Sequence, residues 1–76
     1  MVKAYILIEL MAGHSSSIVQ ALDSNQSVIE VDRVTGPYDV IAVIEAVSLD
    51  EVSRIISRDI HSLKGIVRTT TSISFP

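Results

Sequence analysis

The chain has 76 residues with no cysteine, two histidines and a formal net charge of −3. A core this small leaves little surplus stability. Disulfides, and in practice a structural zinc, are excluded as staples by the lack of thiols, so association with other copies is the expected support. Six lysines and arginines scattered through an acidic chain speak against a nucleic-acid module, and the apolar runs are too short to span a bilayer.

Val2 to Leu10 alternates. Val2, Ala4, Ile6, Ile8 and Leu10 share one face, and Lys3, Tyr5, Leu7 and Glu9 the other, which predicts a strand. Its first residues resemble a secretory leader only superficially, because Glu9 interrupts the apolar run, so a cytoplasmic protein is expected. Ala12-Gly13-His14 ends the strand, Ser15-Ser16-Ser17 offers a helix cap, and Ile18, Ala21 and Leu22 follow at helical spacing. After Asp23-Ser24-Asn25 a second strand is predicted over Ser27 to Thr35, with Ile29 and Val31 opposite Glu30 and Asp32.

The turn Thr35-Gly36-Pro37-Tyr38-Asp39 feeds a third strand, Asp39 to Val47, apolar on both faces. Ser48-Leu49-Asp50-Glu51 is a capping box. Leu49, Val52, Ile56, Ile60 and Leu63 then mark an amphipathic helix, with Gly65 just past its end. Ile66 to Phe75 reads as the last strand, with Val67, Ile73 and Phe75 on one face.

The order β-α-β-β-α-β predicts an α+β, ferredoxin-like fold with a four-stranded antiparallel sheet in one domain, residues 1–76. Strands one and three should be central, being apolar on both faces. Two helices can cover only one face of such a sheet. The other would expose Tyr5, Leu7 and part of strand three, a patch that marks an interaction surface. Sheet-to-sheet packing of two copies is therefore expected. A faint repeat relates Leu7-Ile8-Glu9-Leu10 to Val43-Ile44-Glu45-Ala46.

No catalytic constellation, phosphate loop or metal-ligand spacing stands out, and no cofactor is expected. His14 reads as a loop residue and His61 as a helix C-terminal group. Glu9 and Glu45 are unusual in apolar strands; Glu45 has Arg68 and Lys3 as candidate partners. The turn at Gly36 has two readings. Pro37 and Asp39 suit a tight turn. Equally, Gly36 lets a ligand approach the backbone, and Asp39 offers a carboxylate to an ammonium group.

The pattern Val34-Thr35-Gly36-Pro37-Tyr38-Asp39-Val40-Ile41, then Leu63-Lys64-Gly65-Ile66 and Thr69-Thr70-Thr71, resembles the ligand-binding (RAM) domain of the Lrp/AsnC feast/famine regulators over essentially the whole chain. The resemblance implies a dimeric α+β barrel and assembly into tetramers, octamers, decamers or open rings. It also implies amino-acid effectors bound at contacts between dimers. The chain looks like a stand-alone RAM protein without the family's helix-turn-helix domain. It would then act by mixing with full-length Lrp/AsnC regulators or by binding another protein. The effector contacts implied are Gly36, Tyr38 and Asp39 in the turn, Leu49 at the start of the second helix, and Thr71, Ser72 and Ile73 on the last strand. Asp39 would accept from the effector's ammonium group. Turn N–H groups and the hydroxyls of Thr71 and Ser72 would meet its carboxylate, although Pro37 removes one such N–H. The alternatives are a small dimeric α+β barrel enzyme, of monooxygenase or isomerase type with a polar cavity between sheet and helices, and a purely structural oligomer.

Overall fold

The computed structural model of the protein describes residues 1–75. Strand β1 (Val2–Leu10) is followed by helix α1 (Ser15–Asp23), β2 (Val28–Arg33), β3 (Val40–Ala46), α2 (Leu49–Ile55) with a π-helical turn (Ile56–Ile60), and β4 (Ile66–Ile73). The four strands form one antiparallel sheet in the order β2-β3-β1-β4. The two strands with apolar residues on both faces are central, as their composition requires. Among the described residues no helix is long and apolar enough to cross a membrane.

Both helices lie on one face of the sheet. Ala4, Ile6 and Ile8 of β1 and Val40, Ala42, Ile44 and Ala46 of β3 are buried there against Ile18 and Leu22 of α1 and Val52, Ile55, Ile56 and Ile60 of the second helical segment. The widened turn at Ile56–Ile60, marked by the His61 N–H donating to the Ile56 carbonyl at 2.8 Å, buries Ile55, Ile56 and Ile60 together. Asp59 in the same turn reaches sideways to Asn25, whose side-chain amide donates to its carboxylate at 2.9 Å. Every side chain buried among the described residues is apolar.

Three local expectations are corrected. Helix α1 starts at Ser15 with His14 as its cap residue, and no side chain caps it; Ser17 Oγ instead donates to the His14 carbonyl at 3.0 Å. Ile29 does not share the protected face with Val31: the β2–β3 register shifts between Val28 and Glu30, and the bulge leaves Ile29 51% exposed. A second bulge, where the β1–β4 register shifts between Glu9 and Leu10, takes Val67 out of alternation and leaves it 55% exposed. Phe75 lies beyond the end of β4 and is exposed.

The uncovered face carries Lys3, Tyr5, Leu7 and Glu9 of β1 beside Ile41, Val43 and Glu45 of β3, flanked by Glu30 and Asp32 of β2 and by Arg68, Thr70 and Ser72 of β4. The Glu9 and Glu45 of the faint repeat both point to it. Glu9 pairs with Arg68 at 2.8 Å, while Glu45 lies opposite Lys3 in the register.

Candidate functional site

The turn between β2 and β3 is built around Gly36, whose φ of +119° is closed to most other residues. A Cβ there would meet no atom within 4 Å, so the backbone conformation, not crowding, calls for glycine. Pro37 follows without an N–H to offer. The chain is then pinned: the Val34 N–H donates to the Asp39 carbonyl at 3.0 Å, and the Asp39 N–H donates to the Ile8 carbonyl at 2.8 Å.

The Asp39 carboxylate also has work inside the fold. Strand β3 begins at Val40, opposite Ile8, so the ladder offers no acceptor to the N–H of Leu10, which lies beside the β4 bulge. Asp39 Oδ2 accepts that N–H at 2.8 Å, a charge-assisted bond that ends the strand. Among the described residues its other oxygen accepts no side-chain or backbone hydrogen bond, and the residue is exposed. Thus the tight-turn and ligand-binding readings of Asp39 are compatible: one oxygen is committed and the other faces solvent.

Tyr38 is half-buried, with its hydroxyl 3.0 Å from Thr70 Oγ1. Thr70 opposes Leu7 in the register, so the ring reaches from the entry of β3 across β1 to the edge strand, over the uncovered face. The turn, the end of β1 and β4 are thereby tied together at one end of the sheet.

The remaining expected contacts lie elsewhere. Leu49 is the exposed first residue of α2, fixed by a capping box in which Ser48 Oγ accepts the Glu51 N–H at 3.2 Å and Glu51 Oε1 accepts the Val47 N–H at 3.2 Å. It sits past the far end of β3, and at about 3.3 Å per residue the strand sets it about 20 Å from the turn. Ile73 pairs with Ala4 near that same far end. Ser72 pairs with Tyr5 on the uncovered side, whereas Thr71 pairs with Ile6 on the helix side. Within one chain the structure therefore unites Gly36, Tyr38 and Asp39, and separates them from Leu49 and Ile73. It also places the Thr71 and Ser72 hydroxyls on opposite sides of the sheet.

Several contacts were not expected from the sequence. Thr70 anchors Tyr38, and His61 Nε2 lies 3.0 Å from Thr69 Oγ1 rather than free at a helix end. At Gly65, φ is +95° and a side chain would run into the imidazole of His14. Among the described residues Asp59 carries the strongest electrostatic perturbation. Hydrogen bonds from Arg58, and next from Asn25, hold its carboxyl at about 2, below the ordinary carboxylate range, and the same pairing raises the Arg58 guanidinium. Only the unbroken run of hydroxyls from Thr69 to Ser72 gave any signal of these partners.

The family described as the Lrp/AsnC ligand binding domain matches residues 3–75. None of the curated proteins compared with the sequence matches. Among solved structures, TTHA0845 from Thermus thermophilus is similar at 32% identity and a TM-score of 0.95, over 100% of this chain and 95% of that one. E. coli AsnC is similar at 26% identity and a TM-score of 0.93, over 99% of this chain but 51% of AsnC. The transcriptional regulator NMB0573 from Neisseria meningitidis, solved as an L-Met complex, shares the fold at 13% identity and a TM-score of 0.87, over 99% of this chain and 50% of that one. The chain thus spans about half the length of the last two.

Proposed function

Because the chain belongs to the Lrp/AsnC ligand-binding-domain family, we propose that it is a non-catalytic regulatory module that self-assembles and binds an amino acid where copies meet. The observation that carries this is the division of the candidate contacts. Gly36, Tyr38 and Asp39 stand at one end of the sheet, and Leu49 and Ile73 at the other. One small ligand spans them only if the turn of one copy meets the α2 end of another. A dimer formed through the uncovered face, as the basic unit of larger rings, supplies such copies. The free Asp39 oxygen then takes the ammonium group, and the apolar contacts select among side chains weakly, by about 1–3 kcal/mol per methylene.

A regulatory rather than enzymatic role is supported by the layer between sheet and helices, which is filled by apolar side chains. The enzyme alternative requires polar groups there. The module acts on its own or in mixed assemblies with full-length Lrp/AsnC regulators, in the cytoplasm.

The test is a thermal-shift screen against the common amino acids, starting with L-methionine, since a ligand of the native state raises its apparent stability. A stabilising amino acid is expected to lose most of its effect in Asp39→Asn. That variant keeps a side-chain oxygen for the Leu10 N–H, and Asp39→Ala does not. A screen in which no amino acid shifts the transition counts against the effector reading and favours a structural oligomer.

A further inference from the structure

Strand register arranges the uncovered face in crosswise rows. In one row Glu30, Val43, Tyr5 and Ser72 lie side by side; in the next come Asp32, Ile41, Leu7 and Thr70. From β2 to β4 both rows read carboxylate, β-branched aliphatic, apolar group, hydroxyl. Glu45 and Lys3 form the row at one end, and Glu9 beside Arg68 the row at the other. The β2–β3 half thus holds three carboxylates. The β1–β4 half holds Lys3 and the Arg68–Glu9 pair, closed at 2.8 Å. Among the described residues Glu30, Asp32, Glu45 and Lys3 form no ion pair. The Lys3 ammonium lies 5.4 Å from the centre of the Tyr5 ring, not on Glu45.

Two copies packed through this face are related by a two-fold axis lying between the sheets. An axis running across the strands sets β2 on β2, and stacks Glu30 and Asp32 against their own copies. An axis running along the strands sets β2 on β4 and β3 on β1. Then Val43 meets Tyr5, Ile41 meets Leu7, and the carboxylates of Glu30 and Asp32 meet the hydroxyl donors of Ser72 and Thr70. Lys3 faces Glu45 of the other copy twice over. Sheets stack about 10 Å apart, a gap that a lysine and a glutamate close between them.

We infer that Lys3 and Glu45 determine the partner and its orientation: they select a second copy of this chain, with the two-fold axis along the strands. This rests on the reading of the uncovered face as the dimer contact. Like-charge juxtaposition rejects the other orientation, and would equally reject a related chain whose charges at these two positions differ.

The experiment mixes two single variants. K3E dimers face carboxylate with carboxylate and E45K dimers face ammonium with ammonium, each twice, so each dissociates about tenfold more readily than the wild type. In an equimolar mixture both contacts become complementary. Native mass spectrometry is expected to show heterodimer far above the statistical half, while contacts within each chain are the same as before mixing. The K3Q–E45Q heterodimer regains one of the two Lys3–Glu45 contacts and relieves no repulsion, so this pair is expected to favour the heterodimer only weakly. About 1 M salt should abolish the K3E–E45K preference by screening. Statistical mixing of K3E with E45K, a preference in the K3Q–E45Q pair as strong as theirs, or one unaffected by salt would each overturn the assignment. L7K tests the underlying reading. A dimer that survives L7K uses another surface, and overturns both; a dimer lost in L7K alongside statistical mixing of the charge variants overturns the charge assignment alone.

Discussion

The two faces of one sheet solve different problems. Under the helices, β1 and β3 present Ala4, Ile6, Ile8, Ala42 and Ile44, all wholly buried, and identity is set by shape and volume. On the other side the same strands present Lys3, Tyr5, Leu7, Ile41 and Glu45, where charge is placed row by row. A strand apolar on both faces still distinguishes them: folding uses one, and the polar ends of the other carry directional information that a helix-packed core lacks.

The largest effect that sharpens this contrast comes from adjacent residues of β1. Ile6→Ala should cost about 2–5 kcal/mol, because a packed site relaxes only in part around the lost atoms. Leu7→Ala should cost the single chain about 1 kcal/mol or less, and instead raise the dissociation constant of the dimer. Denaturant unfolding at several protein concentrations separates the two: the Ile6→Ala loss is independent of concentration, and the Leu7→Ala loss grows on dilution. Equal, concentration-independent losses would erase the distinction between the faces.

A smaller effect isolates the turn at the boundary of the two faces. Gly36→Ala forces a side chain into φ +119° although space is free around it, so a cost of about 1 kcal/mol is expected from backbone strain alone. Retention of wild-type thermal stability would show that the turn relaxes without strain. The strain is local, so the Leu10 amide, held by Asp39, should lose hydrogen-exchange protection before the core strands do.

The central strands were legible because apolarity on both faces is written directly in Val2–Leu10 and Val40–Ala46, and the capping box at Ser48 and Glu51 fixed the start of α2. The bulges were not. Ile29 and Val67 alternate correctly in sequence, and only the strand register shows each to be an extra residue. Nor was the π-helical turn legible, because Ile56 and Ile60 also fit ordinary helical spacing. At the candidate site the need for Gly36 was visible, since positive φ has a residue signature. The partners of Asp39 and Tyr38 were not, lying 29 and 32 residues away along the chain. Strand alternation alone sets Thr71 and Ser72 on opposite sides, and only the pairing with Ile6 and Tyr5 shows which side each takes.

The smallest effect probes the rim of the helix layer, where charge has entered the side otherwise governed by shape. Asp59 holds Asn25 and Arg58, and its carboxyl sits at about 2 against an ordinary 3.8. The unfolded chain therefore takes up this proton at higher pH than the folded one. The stabilisation is complete above about pH 4 and is lost as the pH falls through about 2. Because Arg58 is largely solvent-exposed, the amount is on the order of 1 kcal/mol or less. Thermal unfolding of the wild type and Asp59→Asn between about pH 2 and pH 6 measures it. The wild type should be the more stable at the upper end, with the gap closing toward the lower. A gap that stays constant would mean that Asp59 contributes through hydrogen-bond geometry rather than charge, and the helix side would then be a layer of shape alone.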